Sequence, residues 1–310
     1  MKPIGASAPG KALLCGEYAV LEGAPAVVSA VDRRVSVTWS DQALPMPPEV
    51  AATLELARLE CGEVPRSLSL DVGALQHDRI KLGLGSSAAA AAATAAAVFA
   101  THGHDLDDPE SLQRIFACAY RGHASVAPRG SGVDVAASSF GGFLRFVRVG
   151  SELDVRPLRA PDELVIRLVW TGHAARTSQL LTEVHRLRDH DRNQYDWHMA
   201  RLCQICAAFA AAFEAGRPGD VVSSAASYAD AMRALGAAAK APIVDKRLGR
   251  IVELAGRFSG SAKPSGAGGG DVAVAFFTDE HDATSFEKAC KDAGLHPIDV
   301  SWGAAGVRAC

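Results

Sequence analysis

Apolar and polar positions near the N-terminus follow a short-period pattern broken by turn residues. From Lys11 to Val20 and from Pro25 to Trp39, β-branched and apolar runs are punctuated by Gly16-Glu17, Glu22-Gly23 and Asp32-Arg33-Arg34, which predicts consecutive strands joined by turns. The closely spaced prolines of Gln42 to Pro48 mark a loop, and Glu49 to Cys61 then takes helical spacing. Ser67 to Leu75 reads as a further strand. Lys81 to Ser87 is a glycine-serine turn feeding directly into Ala88 to Thr101, whose alanine content predicts the strongest helix of the chain. A helix over Ser111 to His123, a loop at Pro128 to Gly132, an apolar stretch Val133 to Phe140 and a strand over Phe143 to Val149 follow.

The pattern changes around Ala160-Pro161. Leu164 to Trp170 is a short apolar strand, and the spacing beyond it is mostly helical, over Thr177 to Arg188, Tyr195 to Ala215, Val221 to Ala238 and Asp245 to Gly256. A strand at Val272 to Phe277, a helix at Asp282 to Ala293 and a strand at His296 to Trp302 close the chain. The class is α+β, with two domains expected at residues 1–160 and 161–310.

Composition narrows the function. With 310 residues and 48% hydrophobic content, two ordinary cores can form. A net charge of −3 leaves no general excess of cations to track a nucleic-acid backbone, so the expected partner is a small molecule. The longest apolar run, Ala88 to Ala100, is interrupted by Thr94 and falls short of the roughly 20 residues of a membrane span. Ala12 to Cys15 is too short for a signal segment. Seven cysteines without paired spacing suit thiols in a reducing cytoplasm. Cys203 and Cys206 form a CxxC inside a helical tract with no second ligand pair nearby, so a helix core is expected there rather than zinc.

Three segments carry chemistry. Gly83-Leu84-Gly85-Ser86-Ser87 opens the alanine helix at Ala88; glycines admit an anion to the backbone, N–H groups at a helix start point at it, and phosphate is the natural occupant. The serines, Ser87 above all, offer hydroxyls to Mg2+ or to phosphate oxygens. The turn lacks the lysine of a Walker loop, and a plain serine N-cap is the competing reading. Gly130-Ser131-Gly132-Val133-Asp134 delivers a carboxylate into an apolar segment; Lys11, in Pro9-Gly10-Lys11, is the expected partner that would keep Asp134 ionised, while in isolation an aspartate N-cap is the simpler role. Lys263-Pro264-Ser265-Gly266-Ala267-Gly268-Gly269-Gly270-Asp271 places four glycines ahead of a strand, as expected of a loop that lies against a ligand and closes over it.

In this order, Pro9-Gly10-Lys11 through Gly16-Glu17-Tyr18, Gly83 through Ser87, and Ser265 through Asp271 resemble the three signature motifs of the GHMP kinases over nearly the whole chain. The resemblance implies a ribosomal-protein-S5-like N-terminal half and a ferredoxin-like C-terminal half. It also implies ATP phosphates held by Gly83, Leu84, Gly85, Ser86, Ser87 and Ala88 together with Gly266, Gly268 and Gly269, Mg2+ at Ser87, and Asp134 and Lys11 as the catalytic pair. Within the family, Gly16-Glu17-Tyr18-Ala19-Val20-Leu21, Gly130 through Ala137, Trp170-Thr171-Gly172 and Asp271 resemble the phosphomevalonate kinases more than the mevalonate kinases. Arg176 departs from a serine expected there, and His123 stands where mevalonate kinases carry a glutamate. The implied reaction is phosphorylation of 5-phosphomevalonate by ATP, with mevalonate as the alternative acceptor.

Such a substrate needs cations and a shaped site: Arg129 and Lys263 first, Arg176 and Lys81 beside them, with Tyr18, Ser131, Gly132 and Ser265 as further expected contacts. A non-catalytic nucleotide-binding relative would be signalled by loss of Lys11, Asp134 or the serines, and all are present. A homodimer is left open as the assembly.

Overall fold

The computed structural model describes residues 5–64, 67–128 and 130–310. The chain divides into two compact units: one gathers residues up to Ala12, Val28–Leu144 and Ser301–Cys310, the other Leu13–Val27 and Arg145–Val300. This differs from a single cut at 160/161, because each unit takes a segment from the other's stretch of sequence.

In the first unit the long strands Gly5–Cys15 and Ala26–Ser40 are neighbours, as the alternation near the N-terminus predicts, although the first begins earlier and ends at Cys15. Ser67–Asp71 pairs antiparallel with the second strand, and the terminal Arg308–Ala309 pairs with the first. Four helices complete the unit: α1 (Pro48–Cys61), α2 (Ser86–Thr101), α3 (Pro109–Val126) and α4 (Val133–Phe140). Every residue of α2 from Ala88 to Ala100 is buried. Alanine suits this position twice, as the best helix former and as a side chain small enough for α1, α3 and α4 to pack closely around it. Gly122 of α3 marks one such approach: a Cβ there would lie 2.1 Å from Thr53 Oγ1. The apolar stretch Val133–Phe140 is a helix, and Asp134 stands in its first turn.

The second unit holds a four-stranded antiparallel sheet in the order His296–Ile298, Val165–Trp170, Val272–Phe277, Ser261–Pro264. The chain visits these as strand, helices, two strands, helix, strand, the split βαββαβ pattern of a ferredoxin-like half. The helices are α5 (Thr177–His190), α6 (Arg192–Glu214), α7 (Pro218–Ala238), α8 (Lys246–Arg257) and α9 (Glu280–Asp292). Val272–Phe277 is buried at all six positions, which is why it reads as an unbroken apolar run. Two strands escape the periodicity. Glu152–Leu158 is polar and half-exposed, and Ser261–Pro264 is four residues long with a lysine in it. Cys203 and Cys206 lie on α6, with Cys206 fully buried and its thiol directed at Pro25 O. Among the described residues no helix is long and apolar enough to cross a membrane.

Candidate active site

The turn Gly83–Ser87 enters α2 through Gly85, which holds the N-cap at φ 76° in the left-handed region. No side chain caps this helix. The first-turn N–H groups of Ser86, Ser87 and Ala88 therefore have no acceptor within the helix, and with the helix dipole behind them they form an anion site. The competing role of a serine N-cap is excluded by Gly85 occupying that position. Buried Leu84 and Ala88 anchor the turn, while Ser86 and Ser87 are half-buried.

Lys11 is fastened to the same turn. Its backbone N–H donates to Leu84 O at 2.9 Å and its Nζ to Gly83 O at 3.2 Å. A Cβ at Gly85 would stand 3.0 Å from Lys11 Cγ, so glycine is what lets the lysine stem lie along the loop. The ammonium thus sits at the mouth of the anion site, placed by bonds to a turn 72 residues away in sequence.

Asp134 does not answer to either sequence expectation. The N-cap of α4 is Gly132, at φ 86°, and Asp134 lies inside the first turn with Oδ1 accepting from Val135 N at 3.0 Å. Lys11 and Asp134 form no ion pair among the described residues, since the lysine is turned to Gly83 O. Ser131 Oγ accepts a long bond from Val133 N at 3.4 Å. Gly132 is enforced by Tyr120, whose ring carbon would be 2.3 Å from an added Cβ. Arg129 lies outside the described residues.

A carboxylate outside all three motifs joins the phosphate turn. Ser87 Oγ donates to Glu49 Oε1 at 2.9 Å, and Glu49 belongs to the first turn of α1, 38 residues away in sequence. A hydroxyl and a carboxylate side by side are hard oxygen donors of the kind Mg2+ takes from a protein when nucleotide phosphates supply the remainder. The pair fits that ion. Among the described residues no group of three or more His, Cys, Asp or Glu is placed to hold a metal ion.

The second unit carries the other motif residues, and here three expectations change. Lys263 is not a substrate cation: its side chain is 0% exposed, and Nζ donates to Glu17 Oε1 at 2.6 Å and to Leu13 O at 3.3 Å. The reason is its place on the strand Ser261–Pro264, every residue of which is buried. Ser265 is buried as well, and its hydroxyl accepts the Leu13 N–H at 2.8 Å. Tyr18, at φ 62° and nearly buried, donates its hydroxyl to Ala267 O at 2.6 Å and so braces the glycine-rich loop instead of facing open space. Burial raises the Tyr18 phenol above its ordinary range, with neighbouring Glu17 adding to the shift.

The glycine-rich loop is pinned, not loose. Gly266 N donates to Glu17 Oε1, Gly269 N to Ile243 O and Asp271 N to His173 O. An added Cβ at Gly268 would fall 2.1 Å from Ile243 O, at a φ of +83°. Asp271 Oδ1 accepts Ala175 N and its carbonyl accepts both Thr171 N and Thr171 Oγ1, which ties the loop to the Trp170-Thr171-Gly172 segment noted in the sequence. Burial raises the Glu17 carboxyl above the usual range, against the pull of Lys263. Arg176 is exposed at the N-cap of α5 and lines a cavity of about 240 Å³ with Gly269, His173 and Lys240.

Comparison with known proteins gives the arrangement a family. The model of the GHMP kinases N terminal domain matches residues 53–142 and that of the GHMP kinases C terminal region matches residues 210–295. A phosphomevalonate kinase of Streptomyces sp. (strain CL190) is 29% identical across 97% of both chains. A mevalonate kinase of Archaeoglobus fulgidus is 30% identical, covering 91% of this chain and 95% of its own. The Streptococcus pneumoniae phosphomevalonate kinase solved in complex with phosphomevalonate and AMPPNP shares the fold, with a TM-score of 0.80 over 96% of this chain and 99% of that one at 19% identity. Matched in both halves and nearly end to end, with an uncapped helix start behind a glycine-serine turn, the chain belongs to the GHMP kinases.

Proposed function

We propose that this kinase transfers the γ-phosphoryl group of ATP to the phosphate of 5-phosphomevalonate, giving 5-diphosphomevalonate and ADP. The observation that carries the phosphoryl-transfer reading is the uncapped start of α2 with Lys11 bonded along its turn. The near full-length similarity to the Streptomyces phosphomevalonate kinase supports the acceptor.

In this mechanism the N–H groups of Ser86, Ser87 and Ala88 receive ATP phosphate oxygens. Ser87 and Glu49 would hold Mg2+, which when bound would neutralise phosphate charge. Lys11 offsets the charge that builds on the transferred group, as a preorganised cation whose position is fixed before substrate arrives. The acceptor is an anion near neutral pH and needs little deprotonation, so Asp134 orients it and takes a residual proton. With mevalonate the acceptor is an alcohol, and Asp134 becomes the required base. That second reading is favoured by the 30% identity to the Archaeoglobus mevalonate kinase.

A coupled ADP-release assay with ATP, Mg2+ and each acceptor in parallel separates the two. Turnover of 5-phosphomevalonate alone is expected. Turnover of mevalonate alone overturns the acceptor assignment, and turnover of neither overturns the mevalonate-pathway reading.

A further inference from the structure

The cavity beside the glycine-rich loop has a charge imbalance within the second unit. One face of α5 walls it through Arg176, Gln179, Leu180 and Glu183, spaced at three- and four-residue intervals, and Lys240 and Pro242 close it. Glu183 is matched by Arg186, and His173 Nε2 is bonded to Asp245 Oδ2 at 3.1 Å. Among the described residues the side chains of Arg176 and Lys240, both exposed residues, make no hydrogen bond or ion pair. The N-terminus of α5 has no side-chain cap and adds its positive end to the same space.

Lys240 also adopts an uncommon backbone. At φ +53° it is the residue that closes α7, with Lys240 N donating to Ala237 O and Ala241 N to Gly236 O, a helix-ending turn in which glycine is the favoured residue.

We infer that this cavity seats an anionic group of the phosphoryl acceptor, its phosphate or its carboxylate, with Lys240 and Arg176 as the paired cations. The inference rests on the reading of the chain as a kinase for a mevalonate-type acid. It supplies the cations that the sequence sought in Lys263, which is spent on Glu17. A cavity of about 240 Å³ is of a size for a small acid. A guanidinium and an ammonium facing it without counter-ions are suited to a carboxylate or phosphate.

The test is acceptor kinetics and calorimetric binding on full-length Lys240→Ala, Lys240→Arg and Lys240→Gly, with 5-phosphomevalonate and mevalonate as separate probes. Lys240→Ala is expected to raise KM for the acceptor by about tenfold or more, with KM for ATP unchanged and Lys240→Arg restoring most of the loss. Lys240→Gly relieves the backbone, so its thermal midpoint is expected to rise while its acceptor affinity falls, which separates binding from folding. Loss with 5-phosphomevalonate only assigns the cavity to the phosphate; loss with both acceptors assigns it to the carboxylate. Wild-type turnover with unchanged acceptor KM and affinity in all three variants overturns the inference and leaves the proposed function standing. A wild-type enzyme that uses neither acceptor overturns both.

Discussion

Lys263→Met tests whether the first and third motifs are held together by a buried charge pair. Lys263 and Glu17 side chains are 0% and 1% exposed, with Nζ and Oε1 2.6 Å apart. Without the ammonium, the Glu17 carboxylate must stay charged in an apolar interior or take up a proton. Protonating a carboxyl of ordinary pKa 4.5 at pH 7 costs about 3.4 kcal/mol, at 1.36 kcal/mol for each of 2.5 pH units. That sets a ceiling on the charge penalty and agrees with the roughly 3–5 kcal/mol observed when one partner of a buried pair is removed. Glu17→Gln leaves the lysine as the orphan, and deprotonating an amine of ordinary pKa about 10.4 at pH 7 gives a ceiling near 4.6 kcal/mol. The double variant removes both charges, so its loss should fall short of the sum of the singles by about 2–3 kcal/mol. Urea unfolding of the four proteins at pH 7 reads all three numbers. Single losses below about 1 kcal/mol that simply add would show that water reaches the pair; a raised acceptor KM in such a Lys263→Met enzyme would return Lys263 to the substrate.

The remaining predictions concern protons, metal and charge. Burial raises the Glu17 carboxyl, so the folded chain binds this proton more tightly than the unfolded chain. Its contribution to stability is whole below the ordinary value of 4.5 and is lost as pH rises through the raised folded value. Urea midpoints of wild type should accordingly decline relative to Glu17→Gln from about pH 4 upward, and a constant gap would contradict the shift. Glu49→Gln is expected to weaken Mn2+ binding to the nucleotide-loaded enzyme by about tenfold or more in a paramagnetic titration; unchanged binding would leave Ser87 without a carboxylate partner at the metal. Lys11→Ala should lower kcat with 5-phosphomevalonate by about a hundredfold or more, and more than Asp134→Asn does. Equal turnover in Lys11→Ala and wild type would remove the lysine from the mechanism.

The phosphate turn was legible in the sequence because its physics is local. Glycines, serines and a strong helix former in consecutive positions leave few other structures, and the helix begins at Ser86, two residues ahead of the alanine tract. The ferredoxin-like sheet was legible in part, since Leu164 to Trp170 and Val272 to Phe277 are apolar throughout. Lys263 was misjudged because a lysine beside a glycine-rich loop reads as surface until its strand is seen to be covered, and its partner Glu17 lies 246 residues away. Glu49 escapes the sequence for a related reason: it resembles any acidic residue in a first helical turn until Ser87 meets it. Asp134 stands out in the sequence by its motif, but its place inside a first helical turn does not, because the helix carrying it is short and is preceded by a glycine N-cap.

The segment Leu13–Val27 has a consequence for how the molecule is made. It is synthesised early, yet it belongs with Arg145–Val300, while the strand Gly5–Cys15 acquires its edge partner only when Arg308–Ala309 emerges. Neither unit is complete until residues synthesised long after its first segment have emerged, Arg145–Val300 for the one and Ser301–Cys310 for the other. A fragment cut at residue 161 would be born without Glu17 and with a naked ammonium in its core, so a simple truncation does not divide this kinase into independently expressed halves.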